Sequence, residues 1–246
     1  MKLGEILAQV PGLPKRFVYY LEAQGYIRPT RLPKQRIARR EYSPADLETI
    51  RAIWQYYRQG YSLPVASALA AAQTTVYVLL RTPPRRAAEA LALLQSADRV
   101  AEAGLVYGED NLLVLRLRAA QESDVFAVLN PVFDQGAIAG VPVVLKTVRW
   151  VRAPLPETPK EPPMLAYVLI KVPAKHADSV LEQLRQFPGI VEAAVVYGET
   201  DIIAKIAVPS QAELDDLVIR RIQGLPQVES TRTFIVVGGM HWQRDQ

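Results

Sequence analysis

Up to about residue 72 the apolar positions recur at helical spacing in short runs. Leu3, Ile6, Leu7 and Val10 lie on one face before Pro11-Gly12 ends the run. A second helix is predicted over 14–24, with Pro14 in its first turn and Gly25 just past its end. On it Phe17, Tyr20 and Leu21 share the face expected to be buried, while Lys15, Arg16 and Tyr19 share another. Ser43 caps a third helix that starts at Pro44 and carries the stripe Leu47, Ile50, Trp54 and Tyr57 as far as Gly60; Ser62 opens a fourth toward Ala72. Between the second and third helices, residues 28–43 (RPTRLPKQRIARREYS) are too proline-broken for a helix and are predicted to form an extended hairpin or wing.

From residue 74 the pattern changes to apolar runs that return about ninety positions later. TTVYVLLRTPP at 74–84 matches MLAYVLIKVPA at 164–174, and LVYGEDNLLVLRLR at 105–118 matches VVYGETDIIAKIAV at 195–208. After each first strand comes a helical stretch, with Ala87, Ala90, Leu91 and Leu94 or Ala177, Val180, Leu181, Leu184 and Phe187 on its core face. Gly104 and Gly189 are expected just before the next strand, and the Tyr-Gly-Glu turn then joins two strands into a hairpin. A second helix bears Val125, Val128 and Leu129 or Leu214, Leu217, Val218 and Ile222, and closing strands are predicted at 141–150 and 228–237. Each unit is β-α-β-β-α-β, the ferredoxin-like order.

The predicted fold class is therefore multidomain. A mainly-α winged helix-turn-helix occupies 1–72, and two tandem α+β ferredoxin-like domains occupy 74–151 and 164–239. Residues 152–163 (RAPLPETPKEPP) read as a stiff Pro-rich linker. The hairpin strands DIIAKIA and NLLVLRL are apolar on both faces apart from Arg116, so a second sheet must cover the face the helices leave open, within the chain or between chains. This leads to the expectation that the body holds the protein as a homodimer.

Composition narrows the chemistry. No run approaches the length of a spanning apolar helix and no signal peptide is recognisable, so a soluble cytoplasmic protein is expected, with no membrane partner. With no cysteine and only His176 and His241, thiolate metal sites and cysteine nucleophiles are excluded, and no metal, cofactor or catalytic residue is assigned. His176 is read as a surface residue at a helix start, and His241 as part of a frayed tail. The chain carries +4 overall, but residues 1–72 hold eleven Lys or Arg against five acids, and six of those cations fall in 28–43. Such clustering favours a phosphate-bearing partner, through charge neutralisation and counterion release.

The order FVYYLEAQGYIRP, basic wing, REYSPADLETIRAI and RQGYSLPVA resembles the winged helix-turn-helix of MerR-type transcription regulators over residues 1–72. On that resemblance Gly25, Ile27 and Pro29 fall on the turn out of the recognition helix, Arg40 and Tyr42 on the wing-closing pair, and Gly60-Tyr61-Ser62 on the Gly-Phe-Ser-like turn. Tyr19 stands where the family has an arginine, and the long dimerising helix that usually follows is missing. Double-stranded DNA is the implied partner. The residues expected to meet it are Lys15, Arg16 and Tyr19 on the helix and Arg31, Lys34, Arg36, Arg39, Arg40 and Tyr42 on the wing.

LAYVLIKV, LRQFPGIVEAAVVYGETDIIAKIAV and LPQVESTRTFIVV resemble the effector-binding, ACT-like module of Lrp/AsnC regulators, closely over 164–238 and loosely over 74–151. Such modules bind amino acids or other small molecules, which places an expected effector contact at Gly198, Glu199, Thr200 and Asp201 and at Gly108, Glu109 and Asn111. The same residues can equally serve as hairpin turns, with Asp201 bonding nearby amides. The expected function is a DNA-binding transcriptional regulator, not an enzyme, whose modules oligomerise and sense a small effector. The alternatives are an RNA-binding protein, which would need aromatic rings on the central strands, and the metabolite-sensing regulatory subunit of an enzyme.

Overall fold

In a computed structural model the protein is described over residues 1–32, 39–107, 111–152 and 163–244, with the side chains of 31, 32, 39 and 152 left aside. The chain divides into two compact units, Met1–Gln73 and Thr74–Asp245.

The first unit contains α1 (Leu3–Gln9), α2 (Lys15–Ala23), the hairpin β1 (Thr30–Leu32) and β2 (Arg39–Glu41), α3 (Pro44–Arg58) and α4 (Leu63–Ala71). α3 starts where a reciprocal cap forms: Ser43 Oγ accepts from the Asp46 amide at 3.0 Å, and the Asp46 carboxylate accepts from the Ser43 amide at 2.8 Å. The core is built on Ile6, Val18, Leu21, Ile50, Ile53 and Tyr56, all buried. Two expectations are corrected here. Val18 rather than Tyr20 joins Phe17 and Leu21 in the core, leaving Tyr20 52% exposed. On α3, Ile53 and Tyr56 take the places expected for Trp54 and Tyr57, which instead flank Phe17 as an aromatic cluster with ring centroids 4.9 and 5.0 Å from it.

The second unit runs β3 (Thr74–Arg81), α5 (Ala87–Ser96), β4 (Val100–Val106), β5 (Leu112–Ala119), α6 (Glu122–Asp134) and β6 (Ala139–Arg152). It then repeats as β7 (Met164–Lys171), α7 (Ala177–Leu184), β8 (Ile190–Tyr197), β9 (Ile202–Val208), α8 (Gln211–Asp215), which widens into a π-helical segment (Asp216–Ile222), and β10 (Ser230–Gln243). The repeats expected as separate tandem modules enter one closed eight-stranded barrel, in the order β10-β4-β5-β3-β6-β8-β9-β7, with β7 returning to β10. Each half thus meets the other at two seams, β6 against β8 and β10 against β4.

This closure explains the two-faced apolar strands. One face of each half packs under its own helices, with Val78, Leu80, Leu94, Leu115 and Leu129 in the first and Val168, Ile170, Leu181, Leu184 and Ile206 in the second. The other face points into the barrel, where Leu79, Val114 and Leu145 of the first half meet Leu169, Ile203 and Phe234 of the second. Of the two covers left open, within the chain or between chains, the barrel uses the first. Gly104 lies within β4 rather than before it. β10 extends six residues past the predicted strand, so His241 belongs to the barrel wall and not to a frayed tail.

Candidate nucleic-acid interface and barrel seams

α2 presents Lys15, Arg16 and Tyr19 to solvent, because Phe17, Val18 and Leu21 are drawn into the core on its opposite side. From the wing, Arg40 reaches back to this helix. Its Nε donates to the Glu22 carboxylate, and its guanidinium carbon lies 5.0 Å from the centre of the Tyr19 ring. The Lys15 ammonium is 5.7 Å from the same ring. The hydrogen bond to Glu22, and then that residue's charge, hold the Arg40 guanidinium more basic than usual. Lys15, Arg16, Tyr19 and Arg40 therefore form the described part of the expected interface.

Tyr42 does not belong to that surface. It is 1% exposed, its hydroxyl has no hydrogen-bond partner among the described residues, and burial pushes its phenol pKa up. Its backbone closes the unit instead, donating to the Met1 carbonyl at 2.9 Å and accepting from the Met1 ammonium at 2.8 Å. Position 31 pairs with Arg40 across the β1–β2 ladder, and Leu32 with position 39. The side chains of Arg31 and Arg39, and Lys34 and Arg36 entirely, lie outside the described residues.

The turn at 198–201 sits at the β6–β8 seam. Tyr197 is paired with Lys146, and Gly198 (φ +149°) lies so close to β6 that a Cβ there would be 2.6 Å from Leu145 Cδ2 and 3.1 Å from the Val144 carbonyl. Thr200 is buried and its hydroxyl donates to the Ile170 carbonyl at 2.9 Å; Asp201 accepts from the Val172 amide at 3.1 Å and lies 3.3 Å from Lys171 Nζ. Glu199 is exposed, as are the Tyr107 and Tyr197 rings at 63% and 71%. In the first half Asn111 takes a left-handed φ of +45° and its carbonyl accepts from the Thr82 amide, while Gly108 and Glu109 lie outside the described residues.

A charged network inside the barrel had no place in the expected site. Glu102 of β4 accepts from Arg116 Nε at 3.0 Å, from the Tyr167 hydroxyl at 2.5 Å and from Lys205 Nζ, and lies 2.8 Å from His241 Nε2. Glu192 of β8 accepts from the Tyr77 hydroxyl and, at 3.4 Å, from Arg116 Nη1. Lys205 also donates to Gln243 at 3.0 Å. Both tyrosine hydroxyls thus cross from one half of the barrel to the other. Burial opposes ionisation of Glu102, but the His241 bond and the Lys205 and Arg116 charges together outweigh it and hold the carboxyl well below the usual carboxylate range. Burial, then the neighbouring carboxylates, push both tyrosine pKa values far up, so they stay neutral donors.

The sequence did carry a signal for this network: Glu102 in VAEAGLV and Glu192 in IVEAAVV are charges ninety apart in otherwise apolar strands. The register hid the cations. Tyr77 faces Arg116 and Tyr167 faces Lys205, so the tyrosines are ninety apart but the cations eighty-nine, and the first hairpin is one residue longer. Aligned at ninety, Arg116 falls on Ile206. The same offset sets Asn111 against Thr200 rather than Asp201. Among the described residues no group of three or more His, Cys, Asp or Glu side chains is placed to hold a metal, and no helix is long and apolar enough to cross a membrane.

Residues 1–73 match the family model of MerR HTH family regulatory proteins, and residues 165–240 that of the Lrp/AsnC ligand binding domain. The HTH-type transcriptional regulator FL11 of Pyrococcus horikoshii is 36% identical over 74 residues, which are 30% of this chain and 48% of FL11. The chain thus spans about half the length of the curated relatives it matches. Among solved structures FFRP-DM1 is 32% identical over 30% of this chain and 99% of that one, with a TM-score of 0.30. The siroheme decarboxylase NirDL has a TM-score of 0.53 at 10% identity, over 71% of this chain and 74% of that one, a likeness of fold alone.

Proposed function

We propose that this chain, with a MerR-type helix-turn-helix at 1–73 and an Lrp/AsnC ligand binding domain at 165–240, is a DNA-binding transcriptional regulator that acts in the cytoplasm without chemistry of its own. The observation that carries this reading is the exposed Lys15–Arg16–Tyr19 face of α2 with Arg40 of the wing beside it, on a unit whose sequence matches a DNA-binding family. A short helix with cations at its N-terminal end fits the major groove, and a basic hairpin fits the adjoining phosphates.

Each half of the barrel is read as one Lrp/AsnC-like module, the first half by its repeat of the second. A small effector such as an amino acid, bound at a seam turn through Glu199 and the free edges of Tyr107 or Tyr197, would favour one arrangement of the seams over another and bias DNA binding by linkage. Gly198, Thr200 and Asp201 shape that turn rather than contact the effector. These 246 residues supply one head, so occupation of two half-sites takes two chains. Their contact lies outside the barrel interior, which is filled.

The test is selection of duplexes from random-sequence DNA by the full chain, followed by fluorescence anisotropy against salt. The expected result is a recurrent sequence and a steep linear fall of log affinity with log salt. Binding of single-stranded RNA with no duplex selected would refute the reading.

A further inference from the structure

We propose that Glu22 is a positioning residue for DNA binding: it fixes Arg40 across the Tyr19 ring, so that wing and recognition helix present their cations as one surface. The inference rests on the DNA-binding reading above. An acid is a liability on a phosphate-facing surface, since its field opposes the partner. Glu22 nevertheless lies on α2 itself, among the cations of that helix, and its side chain is only 8% exposed. A carboxylate so far out of water needs charged partners, and Arg40 is one, from eighteen positions along the chain.

The geometry shows what the pairing does. Arg40 uses Nε on Glu22, which leaves the outer edge of its planar guanidinium unengaged by that bond while the plane sits over Tyr19. Tyr19 also lies within cation–π distance of Lys15, so one ring organises a cation from the helix and a cation from the wing. Arg40 keeps a third of its side chain exposed, enough for a phosphate to reach it. Without Glu22 the guanidinium would sample its rotamers freely, and the ordering would have to occur on binding. Glu22 thus touches no DNA and acts through Arg40.

The test separates this role from a plain charge effect, because the two predict opposite signs. Anisotropy titrations use the full chain and a labelled duplex selected by the wild-type protein. Glu22→Gln removes a negative charge and is nevertheless expected to weaken binding about fivefold and to reduce the salt slope by about 0.9, the worth of one phosphate contact. Glu48→Gln removes the α3 carboxylate that accepts from Arg51 and is expected to tighten binding slightly. On an Arg40→Gln background, Glu22→Gln is expected to change affinity less than twofold. Tighter binding by Glu22→Gln, or full additivity with Arg40→Gln, overturns the proposal while leaving DNA binding intact. A wild-type chain that selects no duplex overturns both.

Discussion

Replacing Glu102 by Gln removes the charge on which Arg116, Lys205, Tyr167 and His241 converge, at a site where the carboxylate is 1% exposed. The glutamine has nearly the same shape, so the change is electrostatic. Lys205 and Arg116 are themselves buried, and among the described residues the loss leaves Glu192 as the carboxylate bonded to this pair of cations, through Arg116. Breaking a buried charge pair by removing one partner costs about 3–5 kcal/mol. For a unit of this size each kcal/mol lowers the melting temperature by roughly 2–4 °C, so a fall of about 6–20 °C is expected by calorimetry of the full chain. Glu182→Gln, which removes a half-exposed partner of Arg149, is the surface control and should cost less than about 0.5 kcal/mol. The pH dependence has a definite sign. The Glu102 carboxyl is depressed in the folded state, so its contribution is fully present above the unfolded value of about 4.3 and fades as pH falls through the folded one. The gap between wild type and variant should be constant at neutral pH and narrow below about pH 4. A Glu102→Gln melting temperature within about 2 °C of wild type at neutral pH would refute the view that the network holds the two halves together.

Arg16→Glu, on the exposed face of α2, should weaken duplex binding by more than about tenfold at low salt and flatten the salt dependence, as read by anisotropy. Gly198→Ala meets both a left-handed φ and the β6 backbone, and should lower stability by roughly 1–3 kcal/mol in denaturant titrations, whereas Gly238→Ala, with open space around it, should be nearly silent. Ile203→Glu places a charge among Leu79, Leu145 and Leu169 inside the barrel. Since that interior is closed within one chain, its melting temperature should fall equally over about a hundredfold range of protein concentration; a concentration-dependent loss would instead mark an interface between chains.

Much of the architecture was legible because strand-length apolar runs, helix faces and turn residues agree locally in both repeats. The proline after each first strand, the Leu and Val stripes of α5 and α7, and the Ser43 cap all sit where their residue types require. Closure of the barrel was not legible, because an apolar second face demands a cover without saying which sheet supplies it; Ile203 would look the same against another chain. The single-residue offset between the hairpins arises between Val106 and Leu112, where the sequence carries no strand pattern, and it concealed the match between Arg116 and Lys205. On α2, a 3.6-residue period allows Phe17 and Leu21 to be joined by either Val18 or Tyr20. The folded unit takes Val18, which is fully buried, and leaves Tyr20 half-exposed. In the basic head, charge and spacing placed Lys15 and Arg16 on an exposed face of α2 but could not separate Arg40, on the surface, from Tyr42, two residues on and buried.

The two seams are built from different residues although they occupy equivalent positions. At one, Trp150 of β6 stands opposite Ala194; at the other, His241 of β10 stands opposite Gly104, whose missing side chain leaves room for the imidazole. In an assembly of two identical chains a twofold axis would write every substitution into both seams at once, so neither could change without its copy. Joining the halves in one polypeptide lifts that constraint. One junction is then free to carry an ionisable ring tied to Glu102 while the other keeps an indole, and a mutation that loosens one leaves its counterpart as it was.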